Sequence, residues 1–163
     1  PEVSYAEKLE VVENLILKFS LKNCADTIIG DSSVGARRGI SGGEKKRLSI
    51  ACELIGNPKL IFLDEPTTGL DSFQALRVME LLRELAGEGC TVICVVHQPS
   101  SAVFSCFSDL LVMSEGSVAY HGMADSAMAF LTHHGETCPP NVSAAEHCLN
   151  VVSIDFDTKQ TEA

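Results

Sequence analysis

The residues best suited to chemistry stand at the end of a short apolar run, where Leu60-Ile61-Phe62-Leu63 leads directly into Asp64 and Glu65. Four apolar residues predict a buried strand, and α/β sheets bind ligands beyond the C-terminal ends of their strands. Neighbouring side chains on an extended strand point to opposite sides, so the two carboxylates cannot do the same work. The natural division gives Asp64 to a Mg²⁺ ion, through its water shell, and Glu65 to an attacking water as general base. Taken alone, an Asp-Glu pair is better explained as a solvated strand end. Its neighbours change that balance: Pro66-Thr67-Thr68-Gly69-Leu70-Asp71 follows at once, and GISGGEKKRLSIACEL stands upstream at residues 39–54. In that upstream stretch two glycines lie between a serine and a glutamate, three basic residues come next, and a helix-like apolar run begins.

The elements that must position these groups are legible in outline. Ser4 and Glu7 form a capping box, after which Leu9, Val12, Ile16 and Phe19 fall on one face of a helix ending near Ser20. Residues 22–40 are polar and Gly-rich and predict a loop. A helix from Glu44 to about Ile55 is stopped by Gly56-Asn57-Pro58. Lys59 to Leu63 predicts a strand. The helix expected over Ser72–Ala86 turns Leu76, Met79, Leu82 and Leu85 inward and ends at Gly87-Glu88-Gly89. Thr91–Val96 is strongly strand-forming, and Gln98-Pro99-Ser100 opens a short helix. Asp109–Ser114 and Ser117–His121 predict a hairpin across Glu115-Gly116. Asp125 is expected to cap a last clear helix to about His133, with one or two further helical turns beyond Pro139-Pro140. Strands alternating with helices predict an α/β fold, a parallel-type sheet with helices against it.

Composition narrows the classes. The 163 residues suffice for one ordinary domain; 45% are hydrophobic, 6% aromatic and none is Trp. A net charge of -10 disfavours non-specific nucleic-acid binding, and the single dense basic cluster, Lys45-Lys46-Arg47, is too short to reverse it. Seven cysteines without a CxxC pair predict buried free thiols in a reducing compartment. His133, His134, Cys138, His147 and Cys148 match no familiar zinc spacing. Asn141-Val142-Ser143 is formally a glycosylation sequon, which matters only in a secreted chain. No signal peptide opens the sequence, and its apolar runs fall short of the roughly 18 residues of a spanning helix. A chain opening at Pro1 is expected to be processed or a piece of something longer.

Residues 40–71 resemble the ATP-binding cassette of ABC transporters. Ser41-Gly42-Gly43-Glu44 matches the signature, Leu60–Asp64 with Glu65 the Walker B strand, and Gly69-Leu70-Asp71 the D-loop. His97 matches the switch histidine. Glu in the signature, the KKR after it, TTGLDS, VVHQPS and CPPNVSAAEH further resemble the G subfamily, the white/brown-complex half-transporters. Two departures stand out: Ser100 where a basic residue often follows the proline, and Ser143-Ala144 in place of the expected Asn-Pro. The resemblance implies a P-loop-NTPase-like nucleotide-binding domain, of which this chain forms the C-terminal portion: a signature helical part plus a sheet with flanking helices. It implies ATP and Mg²⁺ as ligands, with Asp64 on the metal and Glu65 and His97 catalytic. It also implies that Ser41, Gly42, Gly43, Glu44 and Asp71 complete a nucleotide site whose ATP is held by a second such domain in a head-to-tail dimer. Backbone N–H groups at a helix start suit that phosphate.

The GxxxxGK[ST] loop that should hold the β- and γ-phosphates is not found in the sequence. Gly30-Asp31-Ser32-Ser33-Val34-Gly35-Ala36-Arg37 has the glycine spacing, but Ala36-Arg37 stands where Lys-Ser/Thr is required. The expected organisation is therefore a partial domain over 1–154, without the Walker A half, and a polar tail over 155–163. A parent ATPase would carry the domain on the cytosolic side of a membrane, joined to its own transmembrane domain, while this chain alone would hydrolyse ATP negligibly. Two other readings stay open. One is a truncated, non-catalytic product that docks on a full-length transporter and regulates it. The other is a soluble ABC ATPase of chromosome-maintenance or translation-factor type, against which the absence of heptads and the PTTGLD string both speak.

Overall fold

The structure, a computed structural model, describes residues 3–30 and 39–153. The Gly-spaced stretch discussed above falls, from Asp31 on, outside the described residues, as does the tail over 155–163. The chain forms two compact units, Pro1–Val96 and His97–Ala163.

In the first unit α1 spans Tyr5–Lys18, and Ser4 and Glu7 close its capping box as expected. Its end is a Schellman turn: Ser20 takes φ 53°, and the Leu21 N–H returns to the Ile16 carbonyl at 2.8 Å. The predicted apolar face of α1 is only partly covered. Phe19, just past the helix, is fully buried and Ile16 half-buried, but Leu9 is 43% exposed and Val12 41%. A period of 3.6 reports a stripe, not a partner for it.

The signature stretch opens α2, Gly42–Leu54, whose buried residues Gly43, Arg47, Ile50 and Ala51 lie four, three and one apart on a single stripe. β1, Leu60–Asp64, pairs in parallel with β2, Thr91–Val95, in the register Leu60 to Thr91 and Asp64 to Val95. Between them runs α3, Ser72–Gly87, which packs on β2 and buries Ala75, Val78, Met79, Leu81, Leu82 and Leu85. Each fully buried Val or Leu contributes about 1.5–3 kcal/mol, so this helix dominates the unit's apolar stabilisation. Leu76, expected inside, is only half-buried. Gly89 at φ 92° closes α3, with the Cys90 N–H on the Leu85 carbonyl at 3.2 Å. The opposite face of the sheet carries Leu60, Phe62, Ile93 and Val95 into solvent, Phe62 at 72%.

In the second unit α4, Ser101–Phe104, precedes an antiparallel hairpin of β3, Asp109–Ser114, and β4, Ser117–Met123. Its turn residues Glu115 and Gly116 have φ 49° and 74°, the pattern of a type I′ turn. β4 runs two residues past the expected His121. α5, Ala127–His133, and α6, Ala144–Val152, complete the unit. Its core joins Ala127, Leu131 and Cys148 to Phe104, Leu110, Tyr120, Met128 and Val151.

Three expectations need correction in this unit and across the chain. Asp125 does not cap α5; it lies inside a 3₁₀ turn, Ala124–Ser126, that leads into it. The C-terminal helix is a full nine residues, because Ser143 accepts from the Glu146 N–H at 3.1 Å. That also accounts for Ser143-Ala144: serine caps a helix as well as asparagine does, and alanine suits the position after it. Finally, of the seven free cysteines only Cys148 is buried, while Cys52 is exposed and the others lie between. Apolar sequence neighbours did not guarantee burial on these short, one-sided elements.

Candidate functional site

At the start of α2 the backbone of Ser41 is extended, at φ -66° and ψ 163°, which is what a helix N-cap requires. Ser41 Oγ accepts from the Glu44 N–H at 3.3 Å, and Glu44 Oε2 accepts from the Ser41 N–H at 2.7 Å. This reciprocal box leaves the amides of Gly42 and Gly43 at the positive end of the helix dipole, with no acceptor among the described residues. The Ser41 amide and hydroxyl hold the Glu44 carboxyl below the usual carboxylate range, with smaller help from Cys24 and Arg47. The S-x-x-E spacing was signal enough to find this box.

The two glycines are glycines for different reasons. A Cβ on Gly42 would meet only Leu70 Cδ2, at 3.9 Å, so the outer face is open to an anion. Gly43 is buried, and a Cβ there would run into the side-chain amide of Gln74, with Cδ at 2.9 Å. The second glycine therefore serves close packing against α3.

β1 ends at Asp64, which is exposed, and Glu65 follows in the left-handed region at φ 46°. The alternation argument for the two carboxylates therefore stops at Asp64: what separates them is a change of backbone conformation and not the pleat. Two hydrogen bonds hold Glu65 there. Its N–H donates to the Val95 carbonyl at 2.9 Å, and Thr68 Oγ1 donates to Glu65 Oε2 at 2.9 Å. Pro66, fully buried, anchors the turn. Gly69 supplies the next left-handed residue at φ 78°, and Asp71 caps α3 by accepting from the Gln74 N–H at 2.8 Å.

The fold thus brings the signature against the D-loop region: Gly42 faces Leu70, and Gly43 faces Gln74. His97 is exposed and opens the second unit, two residues beyond β2. Sequence reasoning missed Thr68, Gln74 and Arg47. Arg47 belongs to the basic cluster of the sequence, yet it is 9% exposed and donates from Nε to the Phe19 carbonyl at 3.0 Å and from Nη1 to Gln74 Oε1 at 2.7 Å. Its place four residues after Gly43, on the buried stripe, was the available signal. His147 is buried, with Nε2 3.2 Å from the Glu136 carbonyl. Among the described residues no three His, Cys, Asp or Glu side chains converge to hold a metal, and no helix is long and apolar enough to cross a membrane.

Comparison with known proteins agrees with this geometry. A family model described as ABC transporter matches residues 2–68. The chain is 49% identical over 163 residues to ABC transporter G family member 7 of Arabidopsis thaliana, covering 99% of this chain and 22% of that protein. It is 41% identical over 152 residues to protein white of Drosophila melanogaster, covering 93% and 22%. Among solved structures, CbiO1 of Clostridium perfringens, part of an ABC transporter complex, superposes with a TM-score of 0.62 at 30% identity, over 78% of this chain and 48% of that one. The chain spans about a fifth of the length of the curated relatives it matches. The fold is that of an ATP-binding cassette of the P-loop NTPase type. The chain belongs to the ABC transporter family as part of an ATP-binding domain homologous to those of the G-family half-transporters.

Proposed function

We propose that this chain contributes half of each ATP site in a G-type ABC transmembrane transporter. The observation that carries the reading is the start of α2, where the amides of Gly42 and Gly43 have no acceptor among the described residues and Gly42, beside the D-loop residue Leu70, leaves an open face. ABC ATP-binding domains in general take ATP with Mg²⁺, and the donors here fit the anionic end of such a substrate.

In this reading Ser41, Gly42 and Gly43 receive the γ-phosphate of an ATP held by a second nucleotide-binding domain, arranged head to tail. Glu44 keeps the helix start rigid by occupying the Ser41 amide. Asp71 braces the D-loop at the dimer interface. Asp64 is the residue that would hold Mg²⁺, through water, and the ion, when bound, would neutralise charge on the phosphate oxygens. Glu65 takes a proton from the attacking water, and His97 orients the γ-phosphate end of the site. The cassette lies on the cytosolic side of a membrane and is joined to the transmembrane domain of its parent chain. The sequence carries no GxxxxGK[ST] loop for the β- and γ-phosphates, so in this reading turnover belongs to the parent and not to this stretch alone.

The test is Glu65→Gln in the full-length transporter that carries this sequence. Loss of a general base costs about 10²–10⁴-fold in turnover while nucleotide binding persists. An E65Q transporter that hydrolyses ATP at the wild-type rate would overturn the assignment.

A further inference from the structure

We propose that Gln74 is a positioning residue that locks the signature helix to the D-loop, so that the Gly42 and Gly43 amides and Asp71 move as one body. The inference rests on the functional reading above.

Gln74 touches both motifs at once. Its backbone N–H donates to Asp71 Oδ1 at 2.8 Å, completing the cap of α3. Its side-chain oxygen accepts from Arg47 Nη1 at 2.7 Å, and the same amide lies against the bare Cα of Gly43. Arg47 is itself pinned, since Nε donates to the Phe19 carbonyl at 3.0 Å just beyond α1. One buried guanidinium therefore ties three segments together: the end of α1, the first turns of α2 and the first turn of α3. Arg47 is held by two neutral oxygens, whose geometry is directional, so a shift of either helix start breaks a bond that water cannot readily replace. Gly43 allows the contact because any side chain there would occupy the space of the Gln74 amide. A glutamine that merely filled space would need neither the acceptor nor the glycine opposite it.

The experiment uses the full-length transporter with Gln74→Leu, which keeps the volume and removes the acceptor, and Gln74→Glu, which keeps an acceptor for Arg47. Gln74→Asn, one methylene shorter, serves as a second disruptive variant should the leucine form fail to fold. Thermal midpoint, binding of a fluorescent ATP analogue and steady-state ATP hydrolysis are measured for each. Misplacing the signature amides is expected to lower kcat by about tenfold to a hundredfold in Q74L or Q74N, with ATP binding within about twofold, and Q74E is expected to restore kcat. A Q74L or Q74N protein with wild-type kcat would overturn the inference. So would a fall in kcat that merely tracks loss of folded protein and is not rescued by Q74E. If the wild-type transporter itself neither binds nor hydrolyses ATP, the functional reading falls first and this one with it; an active wild type with indifferent variants sinks this inference alone.

Discussion

Thr68 Oγ1 donates to Glu65 Oε2 at 2.9 Å across a turn in which Glu65 itself is left-handed, at φ 46°. A non-glycine residue in that region costs of order 1–3 kcal/mol, and the bond from Glu65 N–H to the Val95 carbonyl helps to keep it there. The carboxylate is thus aimed by its own backbone and steadied by a hydroxyl three residues on.

Thr68→Val keeps the shape and removes the donor. In the full-length transporter we expect kcat to fall by roughly tenfold with ATP binding unchanged, because the general base loses its orientation and not its charge. Thr68→Ser should restore most of the rate. Steady-state kinetics on the pair decide the matter; equal rates for valine and threonine would show that the hydroxyl is idle.

Gly42→Ala and Gly43→Ala should separate binding from stability. Alanine at 43 must displace Gln74 from Arg47, and overpacking of this kind costs about 1–3 kcal/mol, so thermal unfolding should shift down. Alanine at 42 meets only Leu70 Cδ2 at 3.9 Å and should leave the midpoint near wild type, while its methyl crowds the open face and lowers ATP turnover. Identical melting behaviour of the two variants would contradict the packing described for Gly43.

Glu44 gives a pH dependence of known sign. Its folded-state carboxyl is held low, chiefly by the Ser41 amide and hydroxyl, so it contributes stability above the ordinary glutamate range of about 4.3 and loses it as pH falls through the depressed value. Glu44→Gln keeps an acceptor for the Ser41 amide but has no charge to lose. Denaturant unfolding at about pH 6 and about pH 3 should show the advantage of glutamate over glutamine shrinking in acid. A constant difference would mean that the charge plays no part in the cap.

The thiols should react in order of exposure. Cys52 is exposed on α2, whereas Cys148 sits in the core of the second unit, and burial raises both the Cys148 and the Cys94 thiol above the usual range. At about pH 8 an alkylating agent should label Cys52 first and Cys148 last, since the thiolate is the reacting form. Peptide mapping by mass spectrometry reads the order directly; labelling of Cys148 as fast as Cys52 would contradict its burial.

Much of the site was written in local sequence. Ser41 and Glu44 lie three apart, so their capping box forms within one turn and needs no distant partner. Asp71 caps α3 by the same local geometry, and the apolar run before Asp64 was enough to predict β1. Periodicity also found α1, α2 and α3 to within a few residues. It misjudged burial wherever burial depends on another element: Leu9 and Val12 keep the helical spacing but stay exposed, and most cysteines are less covered than their apolar neighbours suggested.

What distant chain segments do to one another was not readable in this way. That Gly43 is bare because Gln74 fills its side-chain space depends on α2 and α3 meeting, 31 residues apart in sequence. That Arg47 is a buried bracket and not a surface charge depends on Phe19 and Gln74 arriving from two sides. Even the separation of Asp64 from Glu65 comes from a left-handed turn held by the neighbouring strand's Val95 carbonyl. Capping and periodicity are satisfied by residues three or four apart, so residue types alone specify them. Packing and buried hydrogen bonds are satisfied by whichever group the fold delivers, and only the assembled chain names it.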